Sequence, residues 1–484
     1  MIGGQESLPL RVLSGTVPPI SRSSRNSPSS AVATPCSSGG TADNFTIVLN
    51  CDGNDNNGSS AYEPVPDTDL AVSEQYVMQT VDNVFTIYNK SDLSVVEGPD
   101  PLTLPWSGFG NGSCSTPGSG DDFIVRYDKA AGQWVLALPI FNGGQYWLCL
   151  AVSTTSDPTG TYYLYAVQET GSQNPIWDYP KLGIWTDAYY VGFNMISPKP
   201  AYLGPRACAL DRSSMLTGTQ PAPMQCFSES ARTDSFMLPA DIAGLTQPAP
   251  GEPEFFLDIA VGTAGVHNAL NLWSFHVDFS TPQNSTFGGP TALAVNGFAE
   301  GPGFVPEPHG VLYSRSDRLM VPLAWRLTPD GAEHLVVNDA IHVNNAMTEQ
   351  WFDITSLSTA PVVAQQGTLT PDSHDNFWMG SANMDQAGNI ALGFSNAGLK
   401  IDPGIEFTGR LATDPVDTME AVQTVIAGSG YEAGSGEYGD HSIMAVDPSD
   451  DCTFWYSNEY YSLAGSGTTQ WSTRIVAIKF STCQ

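Results

Sequence analysis

One pattern recurs along the chain and restricts its fold more than any other feature. A polar or acidic start leads into a strand of about six residues, a turn containing Asp, Gly or Asn, and a second strand rich in aromatic and β-branched residues. It reads "SEQYVMQTVDNVFTIYN" from Ser73, "DDFIVRYDKAAGQWVLAL" from Asp121 and "DYPKLGIWTDAYYVGF" from Asp178. A less regular copy, "EFFLDIAVG...LNLWSFHVDF", covers 254–279. The pattern returns from Ser316, Phe377 and Gly439, and most copies run on into further strands such as "YWLCLAVSTTSDPTGTYYLYAV" and "WSTRIVAIKF". Seven four-stranded units at intervals of roughly 50 to 65 residues predict an all-β, seven-bladed β-propeller, in which radial repetition protects the sheet edges. A pair of two-sheet sandwiches is the alternative and accounts less well for the recurring starts.

The propeller is expected over 68–484 and an N-terminal extension over 1–67. Residues 17–43 of that extension are Pro/Ser-rich and read as a linker, followed by a small disulfide-closed piece. Composition agrees with short strands and tight turns: 47 Gly and 36 Pro accompany 11 Trp, 18 Tyr and 21 Phe. Eighteen Lys+Arg face 50 Asp+Glu, a formal charge of −32, although charged residues make up only 14% of the chain. Such a field repels phosphate backbones and anionic lipid, which argues against nucleic acid and membrane surfaces as partners. No apolar run of about 18 residues is present, so no segment is expected to insert into a membrane. The expected state is a monomer.

Eight cysteines without a close CxxC pair argue for disulfides over zinc. Spacing suggests the pairs 36 with 51, 114 with 149, 208 with 226 and 452 with 483, and with them an oxidising compartment. The N-terminus "MIGGQESLPLRVLSG" has no basic stretch followed by an apolar one. The chain is therefore expected to be the processed form of a secreted, extracellular protein.

In a propeller the connection entering each innermost strand lies at one mouth of the central channel. Residues immediately before the expected first strands should therefore converge there. They are Glu74, Asp121, Asp122, Asp178, Tyr179, Lys181, Arg315, Asp317, Arg318, His374, Asp375, Glu437, Asp440 and His441. Carboxylates crowded in a low-dielectric mouth repel one another, which raises the pKa of some and leaves others ionised. That division of labour serves glycoside hydrolysis. Asp178, Asp317, Asp375, Asp440 and His441 are accordingly the candidate catalytic groups. Tyr179, Lys181, Arg315, Arg318 and Asp122 are the candidate substrate-binding groups, the cations suiting a carboxylated sugar or developing negative charge. The competing role for any one Asp at a strand entry is an Asx-turn that positions the loop. Asp187, Asp385 and Asp447 fall at hairpin turns beyond the first strand and are assigned to turns. Trp185, Tyr189, Tyr190, Trp455, Tyr456, Tyr460 and Tyr461 are assigned to packing between blades.

"DGNDNNG" at 52–58 places Asp52, Asn54, Asp55 and Asn57 in a pattern of oxygen ligands for calcium, without the distal Glu of an EF-hand. No other cofactor is expected. Hydrolase, dinucleotide, phosphate-loop and zinc-protease motifs do not occur in a supporting context.

The strings "DYPKLGIWTDAYY", "WMGSANMDQAGNIALGFS", "TGRLATDP" and "GDHSIMAVDPSDDCTFWYSNEYY" resemble, in this order, those of a group of large secreted bacterial β-propeller-like proteins. The resemblance runs from about Val72 to Cys483 and implies fold and export; it transfers no catalytic residue. His441 stands where that group has Tyr, and Asn376-Phe377 precede Trp378 where it has Arg. "AVSTTSDPTGTYYLYAV" is similar to strands of five-bladed propeller glycosidases. Together these readings predict a protein that acts on carbohydrate, as a glycoside hydrolase or a polysaccharide lyase. The alternative is a non-catalytic extracellular glycan-binding, adhesion or scaffold protein.

Overall fold

The computed structural model describes residues 5–6, 10–16, 36–37, 41–42, 44–56, 65–82, 84–109, 114–115, 122–142, 144–169, 175–199, 201–230, 236–263, 265–371, 375–432, 436–463, 466–467 and 470–484. Strands dominate, and the longest described helix is the six-residue Arg212–Thr217. No described helix is long and apolar enough to cross a membrane.

The strands form successive antiparallel sheets of about four, each running outward from one inner strand. The inner strands, in chain order, are Asp69–Val72, Ile124–Asp128, Ile176–Ile184, Leu238–Ile242, Leu319–Leu327, Asn376–Met384 and Ile443–Val446. Each packs against the next, and the last packs against the first, so the inner strands enclose an axis in the manner of a β-propeller. Leu238–Ile242 and Leu319–Leu327 go further and pair in parallel, fusing two neighbouring sheets into one of eight strands.

The close approach of neighbouring sheets depends on two glycines. A Cβ on Gly183 would overlap the carbonyl oxygen of Ala240, and one on Gly192 that of Met237. Large rings fill the space between sheets, with Trp134, Trp185, Trp325, Trp351, Trp378, Tyr189, Tyr190 and Tyr456 fully buried. The aromatic residues assigned above to packing are all buried.

Two inner strands lie upstream of their expected positions. The first is Asp69–Val72 instead of the run from Ser73, and the fourth is Leu238–Ile242 instead of a strand within 254–279. Asp69–Val72 is only four residues, all buried, so it lacks the alternation that marks a half-exposed strand. Leu238–Ile242 contains Pro239, which reads as a strand breaker. Glu74 consequently follows its inner strand; its carboxylate accepts a 2.7 Å hydrogen bond from the Tyr127 hydroxyl.

The boundary expected at residue 67 is also crossed. Phe45–Asp55 pairs antiparallel with Ser472–Phe480 and completes the last sheet, so the two ends of the chain share one ladder. Further upstream, Leu10–Thr16 adds a fifth strand beside Tyr162–Glu169, and Gln5–Glu6 one beside Met224–Ser228. All four expected disulfides are present: Cys36–Cys51, Cys114–Cys149, Cys208–Cys226 and Cys452–Cys483.

The expected calcium loop instead begins inside that closing strand. Asp52 pairs with Arg474 and accepts from the Tyr460 hydroxyl at 3.0 Å. Asn54 Oδ1 accepts from Thr86 at 2.7 Å, while its backbone N–H donates to Gln79. Asp55 ends the strand, and Asn57 lies outside the described residues. Neighbouring side chains have thus taken Oδ1 of Asp52 and Oδ1 of Asn54, which a flexible turn would offer a cation. The described residues hold no group of three or more His, Cys, Asp or Glu suited to a metal ion.

Removing residues 1–56 deletes the closing strand and bares the edge of Ser472–Phe480. The expected result is a lowered, broadened thermal transition by circular dichroism together with concentration-dependent association. An unchanged, monomeric melt would contradict the closure.

Candidate functional site at the axial mouth

A shared backbone feature brings side chains to one end of the axis. Asp67, Asp122, Tyr179, Phe236 and Met379 all have left-handed backbone, with φ of 38°, 49°, 52°, 52° and 52°. Each stands two residues before the uninterrupted pairing of its inner strand, which resumes after a bulge at Lys181 and Ser381 in two cases. Arg315, with φ 44°, precedes Leu319–Leu327. Left-handed backbone disfavours most side chains, so its recurrence at sheet after sheet marks a conformation imposed by the architecture.

At the rim, Arg315 Nε lies 2.6 Å from Asp440 Oδ1, and its Nη2 lies 3.8 Å from Glu437 Oε2. Arg318 binds both oxygens of Asp317, at 2.8 and 3.2 Å. Its guanidinium carbon also lies 3.8 Å from the Phe236 ring centroid and 4.6 Å from that of Tyr179, so cation–π attraction holds it over two rings. Asp440 is anchored from a second direction by its backbone N–H, which donates to Asp67.

Beneath the rim, the Tyr179 hydroxyl donates to the Asp440 carbonyl at 3.4 Å, and His441 meets the Tyr179 ring edge-on at 6.3 Å. Lys181 Nζ sits 3.4 Å from the centre of the same ring. Lys181 and His441 are both buried, and neither Lys181 Nζ nor His441 Nδ1 has a hydrogen-bond partner among the described residues. Burial pushes the Lys181 pKa down, opposed by the charges of Asp122 and Asp440. Burial, reinforced by the positive charges of Lys181, Arg126 and Arg318, holds His441 well below the ordinary histidine value. His441 is therefore a neutral imidazole at physiological pH.

Deeper along the axis, Arg126 Nη1 contacts both oxygens of Asp69 at 2.7 and 2.8 Å, and its Nε lies 3.8 Å from Asp241. Burial raises the pKa of Asp69 and of Asp241, and Arg126 opposes it in both. Toward the far end, Lys129 donates to the Ala243 carbonyl, and burial pushes its pKa down to about 8. Arg326 there pairs with Asp451 at 2.7 Å.

The fold thus gathers Tyr179, Lys181, Arg315, Asp317, Arg318, Asp440 and His441 at one mouth, with Asp122 acting on Lys181 and Tyr179 through its charge. One expected member stands apart. Asp178 is exposed on the strand Ile176–Ile184, where its neighbours Trp177 and Tyr179 are buried. Its charge, after burial, raises the pKa of Tyr146 on a different sheet. Asp375 is half-buried at the head of Asn376–Met384. Asp121 and His374 lie outside the described residues. Asp385 and Asp447 accept backbone N–H groups in their own turns, as expected.

Sequence reasoning missed Asp67, Asp69, Arg126, Phe236 and Asp241. The first two flank an inner strand placed too late, and Phe236 precedes another such strand. Arg126 and Asp241 lie within strands, where no charge was sought.

No protein-family model and no curated protein matches the sequence. Among solved structures, the chain is similar to endo-1,5-alpha-L-arabinanase from Thermotoga petrophila, at 10% identity over 86% of this chain and 98% of that one, TM-score 0.32. It is also similar to exo-beta-1,3-galactanase from Phanerochaete chrysosporium, at 9% identity over 89% and 97%, TM-score 0.31. A third likeness is to the WD40 domain of SCAP from fission yeast, at 8% identity over 85% and 81%, TM-score 0.35. Likenesses this weak carry no argument about activity, and the fold rests on the chain's own topology.

His441 supplies a pH test. Its folded pKa is depressed, so the unfolded chain binds the extra proton as pH drops through about 6.5, and the native state loses stability there. His441→Gln should flatten the fall in melting temperature between pH 7 and 5, seen as a variant-to-wild-type difference that changes with pH. Parallel profiles would contradict a buried neutral imidazole.

Proposed function

We propose that the protein is a secreted seven-bladed β-propeller that binds carbohydrate at its axial mouth without hydrolysing it by a two-carboxylate route. The observation that carries this reading is the commitment of the rim carboxylates. Asp440 is engaged by Arg315, and both oxygens of Asp317 are engaged by Arg318. Glycoside hydrolysis needs two carboxyl groups facing each other across the scissile bond, one of them free to deliver a proton. Here Asp178 lies elsewhere, and Asp317 and Asp440, the expected catalytic acids that the fold brings to the rim, face guanidinium groups. Side by side, fixed guanidinium donors and carboxylate acceptors suit the paired donor and acceptor character of sugar hydroxyls. The rim remains open to solvent: Asp317 is 45% exposed, Arg315 33% and Asp440 21%.

Supporting the seven-bladed count are the inner strands packed in a ring and the left-handed residue repeated at their entries. Supporting export are the four disulfides and the strings shared with the secreted bacterial group. The acidic surface supports a ligand that is neither nucleic acid nor lipid.

A panel of immobilised polysaccharides and oligosaccharides, read for binding, released reducing ends and unsaturated products, tests the proposal. The wild type should bind at least one glycan without turnover. Arg315→Ala and Asp440→Asn should each weaken binding to a mouth ligand by about tenfold, equivalent to ~1.4 kcal/mol. Turnover that Asp440→Asn abolishes would establish a glycosidase or lyase instead, and failure to bind any glycan would remove the carbohydrate reading.

A further inference from the structure

A second open surface lies away from the axis. The outermost strand Thr286–Ala299 of one sheet and the hairpin Glu333–Val343/Ala346–Thr355 of the next flank a groove of about 930 Å3. Volumes of a few hundred to about 1,000 Å3 are typical of small-ligand sites. The hairpin turns through Asn344 and Asn345, with φ of 51° and 68°, the pair of left-handed residues that a tight two-residue connection requires. The turn thereby contributes both amide side chains to the groove wall.

The chemistry of the lining differs from that of the mouth. Asn296, Gln350 and Gln366 add three more amides, and Thr368 and Thr370 add hydroxyls. No Asp, Glu, Lys or Arg occurs among the described lining residues, although the chain as a whole carries a charge of −32. Val266, 49% exposed, and Val343, 36% exposed, add apolar surface.

These amides are also ordered. Gln366 Nε2 donates to Gln350 Oε1 and to the Asn296 carbonyl, each at 3.1 Å, while Gln366 Oε1 accepts from the Asn296 N–H at 2.6 Å. One side chain therefore ties the outermost strand of the fourth sheet to the fifth. Gln350 pairs with Asp339 across the hairpin, and its side-chain amide bonds the Asp339 carboxyl, opposing the rise in pKa that burial imposes there.

We propose that this groove is a separate binding site for a neutral oligosaccharide. Amides and hydroxyls both donate and accept, matching sugar hydroxyls, and the two valines meet the C–H faces of the rings. The missing charge excludes an anionic or cationic ligand as the preferred occupant, because a desolvated ion would find no counter-charge. This site goes beyond the proposed mouth site and stands or falls separately from it.

Gly297 offers a direct block. It is exposed, its φ is not left-handed, and a Cβ there would meet only Val266 and the His267 carbonyl, at 3.6 and 3.7 Å. Gly297→Trp should fill the groove, and Thr370→Trp, at another exposed lining position, provides a second block should the first impair folding. The probes are unbranched tri- to pentasaccharides of glucose, galactose, mannose, xylose and arabinose, alongside galacturonate oligomers, titrated by calorimetry against variants with wild-type melting temperatures. The groove predicts that at least one neutral probe binds the wild type, that both Trp variants weaken it by about tenfold or more, and that Arg315→Ala changes it less than about twofold. Binding of no neutral probe, or undiminished binding to both Trp variants, overturns the groove. Loss confined to Arg315→Ala also overturns it while leaving the mouth reading intact; loss confined to the Trp variants supports it and removes those probes as ligands of the mouth.

Discussion

The contact between Asp69 and Arg126 shows the constraint on which the rest of the axis depends. Both residues are buried on inner strands of successive sheets, and one guanidinium nitrogen reaches both carboxylate oxygens. Closing strands around a narrow axis removes their side chains from water, so any charge placed there must find a counter-charge on a neighbouring sheet. Asp241 extends the pair to the fourth sheet, while Lys129 settles on a carbonyl. The same rule operates at the rim, where Arg315 and Asp440 meet across 125 residues of sequence. Residues read from sequence as catalytic acids are thus partly explained as counter-ions required by the architecture.

Two groups at the mouth escape that rule, as Lys129 does toward the far end. Lys181 and His441 are buried beside the same tyrosine ring with polar atoms unpaired among the described residues. They have answered desolvation differently from the arginines: the pKa of each is lowered, and the imidazole gives up its charge. A mouth with paired charges outside and desolvated basic groups beneath is suited to holding polar ligands.

Much of the architecture was legible because it rests on repetition. Alternating aromatic and β-branched runs between turn residues located most of the strands, and cysteine spacing suggested the four disulfides. The inner strands Asp69–Val72 and Leu238–Ile242 were not legible: one is wholly buried and without alternation, and the other contains a proline. The closing strand Phe45–Asp55 was hidden by distance, because nothing local indicates that it pairs with Ser472–Phe480. At the site, residues preceding strands were found by counting, but the orientation of Asp178 was not, since the bulge between it and Lys181 is a tertiary feature. Nor does the sequence mark the left-handed positions, which carry Asp, Tyr, Phe, Arg and Met in different sheets.

The most direct test of this account is a double-mutant cycle on the axial pair, using Asp69→Asn, Arg126→Met and the double variant, with stability taken from chemical denaturation. If ring closure forces these strands to neutralise each other, each single change should be strongly destabilising and the double change much less than their sum, a coupling above about 1 kcal/mol. Additive effects would mean that the two charges do not meet at a shared axis, and the organisation of the mouth built on that closure would be contradicted.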